Sequence, residues 1–295
     1  MKLEQLNARI QTNGPRRIAV AAAQDSHVLE AVSEAYKAGI AEPVLCGDIE
    51  QIDWAARQRH IDISPFELIE TENSAQSVSV AVSLVKSGRA DVLMKGNLGT
   101  AELMKAVLDK ETGLRSGGQI LSHVTLINAP HKTLYLTDCV LIMYPDLETK
   151  AKMIDNAVAV AHCMGVDTPK VAVLAAVELV NSKMPATTDA ALLTVMNRRG
   201  QIKNCTVDGP LAMDLALSQE AVQIKGIRSD VAGDADVLLF HTIEAANSAM
   251  KTFTVAAGLT MGGLVVGADA PIVLTSRSDS AESKLYSIAC AIHFA

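Results

Sequence analysis

Residues 90–108, ADVLMKGNLGTAELMKAVL, decide how the chain folds. Ala90–Met94 is an apolar run of strand length, and Lys95–Thr100 is a turn of small residues. Ala101–Leu108 then carries apolar side chains at helical spacing. A strand that passes through such a turn into a helix is a βα unit, and the unit recurs upstream. Arg17–Ala23 leads into a helix over Ser26–Ala38, closed by Gly39. Pro43–Cys46 precedes a helix beginning at Asp48. Glu67–Thr71 precedes one that Asn73 caps, running to Lys86 and ended by Gly88. This alternation predicts a parallel sheet with helices on its faces.

Downstream, His123–Asn128 and Thr133–Thr137 are strand-like with Pro130 between them. They break the alternation and mark a crossing from one domain to another. A long helix is expected from about Leu147 to Met164, and Lys170–Val177 is apolar on both faces, as a central parallel strand must be. Helices near Ala186–Arg198 and Met213–Gln219, and a strand over Asp236–Phe240, continue the pattern. Pro271–Thr275 leads into a last helix with Leu285, Ile288, Ala289 and Ile292 on one face. No Pro-, Gly- or Ser-rich linker separates two cores. The expected organisation is two α/β domains, the first of residues 1–130 plus 278–295 and the second of residues 131–277.

Hydrophobic residues make up 49% of the 295 positions and aromatics only 3%, so Ala, Val, Leu and Met must fill the core. The net charge of −7 argues against general nucleic-acid binding. It leaves room for an anionic small molecule, because a few fixed cations in a cleft outweigh a diffuse surface charge. Cys46, Cys139, Cys163, Cys205 and Cys290 are scattered, which reads as reduced thiols in the cytosol. The polar start, MKLEQLNARIQ, and the absence of an apolar run near 18 residues predict a cytoplasmic protein without a membrane span. The histidines lack H-x-x-x-H spacing, no aspartates cluster, and no serine lies in G-x-S-x-G. A metal-free chemistry of positioning and charge stabilisation fits that inventory.

Four loops that follow strands are candidates for the site. Lys95–Thr100 offers backbone N–H groups and a point charge to an anion. In Ser276–Glu282, Asp279 and Glu282 fit a capping box, while Arg277 can clamp phosphate and Ser276 can donate a further hydrogen bond. Lys183, in NSKMPAT, can meet a diphosphate or simply be solvated. Glu244 and Asn247 lie one helical turn apart after another strand, where a surface polar pair is the ordinary reading. One sheet could bring all four loops to one edge.

The stretches LMKGNLGT, GLRSGGQILSHV, LTDCVLIMYPDLETKAKMIDNAV, PKVAVLAAVELVNSKMPAT, VDGPLAMDLA, VAGDADVLLFHTIEAAN and VVGADAPIVLTSRSDSAESKLYSIA resemble the phosphate acetyl/butyryltransferase family, more closely its butyryl branch. The likeness runs in order from about Asp91 to the C-terminus, while the first 90 residues match only in layout. It implies an isocitrate/isopropylmalate-dehydrogenase-like fold, two α/β domains around a cleft, and a homodimer formed through the second domain. It also implies direct attack of inorganic phosphate on an acyl-CoA thioester, with CoA and phosphate as substrates and neither metal nor cofactor.

In that scheme Ser276 and Arg277 hold the reacting phosphate and carbonyl. Lys95, Thr100 and Lys183 match phosphate- or CoA-side positions more loosely; Gly96, Glu244 and Asn247 are further candidates for substrate binding from the loop reading. Acetyl-branch members carry an aspartate base at the position of Ser283, and Asp279, one helical turn earlier, is its substitute here. Ile142 stands where Asn is common, His241-Thr242 where Pro-Asp or Pro-Asn is common, and Ala246 where Gly is usual. These changes bear on acyl-chain choice and on full activity. Two other classes stay open: a metal- and NAD-dependent hydroxyacid dehydrogenase of the same fold, and an acyl-CoA-binding protein that has lost catalysis.

Overall fold

The computed structural model describes residues 5, 6, 8–10, 14–115, 117–276 and 279–295. The chain begins with β1 (Arg16–Ala21), α1 (Ser26–Lys37), β2 (Ala41–Gly47), α2 (Ile49–Arg57) and β3 (Glu67–Glu70). It continues with α3 (Ser74–Lys86), β4 (Val92–Lys95) and α4 (Thr100–Val107). Next come β5 (Ser122–Asn128), β6 (Thr133–Thr137), α5 (Leu147–Cys163), β7 (Lys170–Leu174) and α6 (Pro185–Arg198). After these stand β8 (Thr206–Leu211), α7 (Met213–Leu217), α8 (Gln219–Lys225), β9 (Val237–Leu239) and α9 (Ile243–Lys251), which runs into a π-helical turn over Thr252–Ala256. The last elements are β10 (Met261–Val266), β11 (Ile272–Val273) and α10 (Ala281–Phe294).

Two compact units divide the chain. One holds the residues up to Leu121 together with Met261–Ala295, and the other holds Ser122–Thr260. Strand pairing explains the division. β5 forms an antiparallel hairpin with β6, Val124 opposite Thr137, so it belongs with the strands of the second unit. β10 pairs with β11, and β11 lies parallel to β4, which returns the end of the chain to the first unit. The units therefore part after Leu121 and after Thr260, earlier at both points than the expected 130/131 and 277/278 boundaries.

In the first unit the strand order is β3-β2-β1-β4-β11-β10, parallel except for the last pair. In the second it is β5-β6-β9-β7-β8, parallel after the hairpin. Side-chain caps fix where the helices start after the strands. Asp25 accepts from the N–H groups of His27 and Val28, at 2.9 and 3.1 Å. Asn73 accepts from Gln76 N at 2.9 Å, and Asp146 from Thr149 N at 2.8 Å. Each satisfies donors that the first helical turn leaves open.

The core is aliphatic, as the composition requires. Ile18–Ala23 are wholly buried in one unit, as are Ala157, Val160, Val171 and Leu238 in the other. Among the described residues no helix is long and apolar enough to cross a membrane. Cys46, Cys139 and Cys290 are buried, and burial pushes the first two thiols up to about 12. The apolar run at Lys170–Val177 leaves its ladder at Leu174, and Leu179 and Val180 beyond it are 75% and 61% exposed.

The second unit also buries a polar pair. The Asp138 carboxylate accepts from the N–H groups of His123 (2.7 Å), Val140 (2.7 Å) and Leu141 (2.8 Å), yet burial still raises its pKa. Burial lowers His123 from 6.5 to about 4. A depressed histidine contributes stability that is complete above pH 6.5 and lost as the pH falls toward 4, about 3 kcal/mol in all. Urea unfolding of His123→Leu should therefore lose about 2 kcal/mol less than the parent between pH 7 and pH 5. An identical pH dependence in the two proteins would contradict this account of His123.

Candidate active site

In the first unit, β1, β4 and β11 lie parallel, with Ala21 opposite Lys95 and Val273 opposite Met94. The chain therefore leaves all three strands at one carboxyl edge. Gly96 N–H donates to Ala21 O at 2.8 Å, and Asn97 N–H donates to Ala22 O at 2.7 Å. A Cβ on Gly96 would lie 2.1 Å from the Ala22 carbonyl oxygen and 2.6 Å from that of Ala21, so only glycine fits. The Lys95 ammonium lies over its own turn, donating to the carbonyls of Gly96 (3.3 Å) and Leu98 (3.2 Å). Thr100 opens α4 behind Gly99, which supplies no side-chain cap. Beside this turn a polar cavity of about 450 Å³ opens between Gln24, Asp48, Trp54 and Asn97.

Ser276 follows β11 at the same edge. Its N–H donates to Asp279 Oδ2 at 2.7 Å, and Asp279 N–H returns a bond to Ser276 O at 3.2 Å. Arg277 and Ser278 lie outside the described residues. The expected Asp279–Glu282 capping box is not what starts the helix. Ser280 caps α10, its Oγ accepting from Ser283 N at 3.1 Å, because Asp279 is already engaged with Ser276. Ser283 is buried and its Oγ accepts from Met261 N at 3.4 Å, so the hydroxyl faces β10. Lys284, only 2% exposed, donates to the Asp279 carbonyl. Burial lowers its pKa, and the charges of Asp279, Asp25 and Glu30 oppose that.

The second unit gathers its own edge. Thr137 of β6 and Val173 of β7 both lie opposite Leu239 of β9, and the three strands run parallel. Lys183 is exposed in the loop after β7, where its N–H donates to Asn181 Oδ1 at 2.9 Å. Thr187 ties down the same loop, donating to Met184 O at 2.8 Å and accepting from Asn181 N at 2.9 Å. Glu244 and Asn247 on α9 meet the loop after β6. The Tyr144 hydroxyl donates to Glu244, which holds that carboxyl below the usual range. Asn247 Nδ2 donates to Cys139 O at 3.0 Å. The pair is thus engaged with a neighbouring loop.

One cluster escaped the sequence reading. Lys150, in the first turn of α5, is 1% exposed, and its ammonium donates to Asp189 Oδ2 at 2.6 Å and to His241 Nδ1 at 2.8 Å. A lysine in a first helical turn reads as solvated, so nothing in the pattern marked it. The odd residue His241 was the available signal.

Among the described residues no group of three or more His, Cys, Asp or Glu side chains could hold a metal ion. Turns of small residues and lysines at the carboxyl ends of parallel strands define an α/β protein of the kind whose ligand loops gather at strand ends. The chain matches the family model for phosphate acetyl/butaryl transferase over residues 1–81 and 72–292. It belongs to that family. It is 46% identical over 290 residues to phosphate butyryltransferase of Clostridium beijerinckii, covering 98% of this chain and 96% of that protein. Identity to phosphate acetyltransferase of Thermotoga maritima is 43% over 297 residues, the whole of both chains. The crystal structure of a branched-chain phosphotransacylase from Enterococcus faecalis superposes with a TM-score of 0.84 at 33% identity, covering 95% of this chain and 98% of that one. The expected dehydrogenase-like α/β fold agrees with these likenesses.

Gly96 supplies a direct test of the edge geometry. Because the atoms that Gly96→Ala would meet are backbone carbonyls, the variant should lose about 1–3 kcal/mol in chemical denaturation. Wild-type stability in that variant would show that the turn is not built as described.

Proposed function

We propose that this protein transfers a short-chain acyl group between CoA and inorganic phosphate, butyryl-CoA and phosphate giving butyryl phosphate and CoA, or a close homologue of that reaction. The observation that supports this most is that the Lys95–Thr100 turn and the Ser276–Asp279 loop leave adjacent parallel strands at one edge. Arg277 and Lys95 hold the phosphate beside the thioester carbonyl. A phosphate oxygen attacks the carbonyl carbon, and the resulting oxyanion is met by Ser276 and backbone N–H groups. The C–S bond then breaks, the carbonyl re-forms, and CoA leaves as a thiolate. Gly96 lets the turn close, Thr100 lies on the phosphate or CoA side, and Glu244 and Asn247 steady the substrate-binding edge of the second unit.

Asp279 is the proposed partner of the CoA thiol. Its Oδ2 accepts from Ser276 N, which holds the carboxylate beside the loop after β11. Magnitudes show why a weak base suffices. A thiol of pKa near 8.5 needs only about 2 kcal/mol to ionise at neutral pH. Each oxyanion donor is worth about 3–4 kcal/mol, so fixed positive charge outweighs the base. CoA and phosphate are substrates in this scheme, and no further cofactor takes part.

The low aromatic content supports an aliphatic acyl pocket taking roughly three to five carbons, since one methylene is worth only about 1–3 kcal/mol. A homodimer through the second unit is part of the proposal. Leu192 and Val195 of α6, 49% and 50% exposed, and the exposed Leu179 and Val180 are apolar surface that such an interface would cover. The proposed compartment is the cytoplasm.

Thiol release from butyryl-CoA should depend on phosphate, and Arg277→Ala should slow it at least about a hundredfold. An undiminished rate in that variant would remove Arg277 from the mechanism.

A further inference from the structure

His241 follows β9 at the carboxyl edge of the second unit, immediately before Thr242, the cap position of α9. Its Nδ1 lies 2.8 Å from the Lys150 ammonium. An ammonium has protons to give and no lone pair to accept with, so Nδ1 must be the acceptor. The ring proton is therefore on Nε2. Asp189 does not compete for the ring: its Oδ2 is 2.6 Å from Lys150 Nζ and 3.8 Å from His241 Nδ1. The His241 side chain is 33% exposed, and among the described residues no acceptor meets Nε2. Burial first, and then the charge of Lys150, lower the pKa of the imidazole, with Asp189 opposing, so the ring stays neutral.

The same edge carries the ionised Glu244 carboxylate on α9. Lys150 and Asp189 offset one another, so the surroundings of the ring favour a neutral acceptor over a phosphate dianion. An acyl-CoA carries neutral acceptors in the amide and thioester carbonyls of its pantetheine arm.

We infer that His241 is a further binding residue of the acyl-transfer reaction: Lys150 locks its tautomer so that Nε2–H donates to a carbonyl oxygen of the acyl-CoA arm. This rests on the acyl-transfer reading and goes beyond it, because a buried lysine here sets the direction of a substrate hydrogen bond. Lys150 itself is a positioning residue.

Two substitutions separate the two ring nitrogens. His241→Asn keeps an acceptor near the Nδ1 position for Lys150 but has no donor at the Nε2 position. His241→Gln can place an amide N–H at the Nε2 position. Butyryl-CoA KM should rise about five- to tenfold in His241→Asn, with phosphate KM unchanged, and fall most of the way back in His241→Gln. Nitrogen-15 histidine NMR of the wild type should show Nε2 protonated and Nδ1 bare. An unchanged butyryl-CoA KM in folded His241→Asn, or a proton on Nδ1, overturns the contact while leaving acyl transfer standing. A wild type that shows the Nε2–H signal but releases no CoA thiol overturns the acyl-transfer reading, and this contact with it.

Discussion

Parallel pairing of β4 with β1 on one side and β11 on the other is the constraint on which the other features depend. Neighbouring parallel strands must release their next residues at the same end. Ala22, Gly96 and Leu274 therefore begin loops side by side, although they are far apart in sequence. A one-residue slip would turn Lys95 to the other face of the sheet and separate its turn from the Ser276 loop. The Gly96 turn records how tight this arrangement is, since two carbonyl oxygens of the β1 exit occupy the space a side chain would need.

Polar side chains then hold what the strands deliver. In the first unit Asp279 and Lys284 fasten the loop after β11, one by accepting from Ser276 N and the other by donating to the Asp279 carbonyl. In the second, Glu244, Asn247 and Lys150 fasten the loops after β6 and β9. Each edge is thus set before any ligand arrives, which is how positioning and charge can carry a reaction that has little need of a strong base. Ser283 belongs to the same framework, as a buried hydroxyl that accepts from Met261 N of β10.

Most of the βα alternation was legible because strands, capping residues and helix-ending glycines coincide. Asn73 caps α3 and Gly88 ends it with φ of +72°. The missed strands break local rules for identifiable reasons. β8 contains Gly209 and Pro210, and a proline is tolerated there because β8 lies at the end of its unit's strand order. β10 contains Gly262, where a Cβ would lie 2.7 Å from the Tyr286 ring, so packing against α10 overrides strand propensity. Of the candidate site, the loops could be read from spacing, and the structure brings Lys95, Gly96, Thr100, Ser276 and Asp279 to one edge. The pairing of Lys150 with Asp189 and His241 could not be read, because its members are far apart in sequence and burial is a tertiary property.

The central claim is that phosphate attacks the thioester directly, with no acyl group passing through the protein. Rapid-quench measurement of CoA released from butyryl-CoA in the strict absence of phosphate tests it most directly. Direct attack predicts no burst, and then acyl phosphate, trapped as the hydroxamate, formed one for one with CoA once phosphate is added. A phosphate-independent burst of CoA equal to the enzyme concentration, with a butyryl adduct on the chain by mass spectrometry, would contradict it.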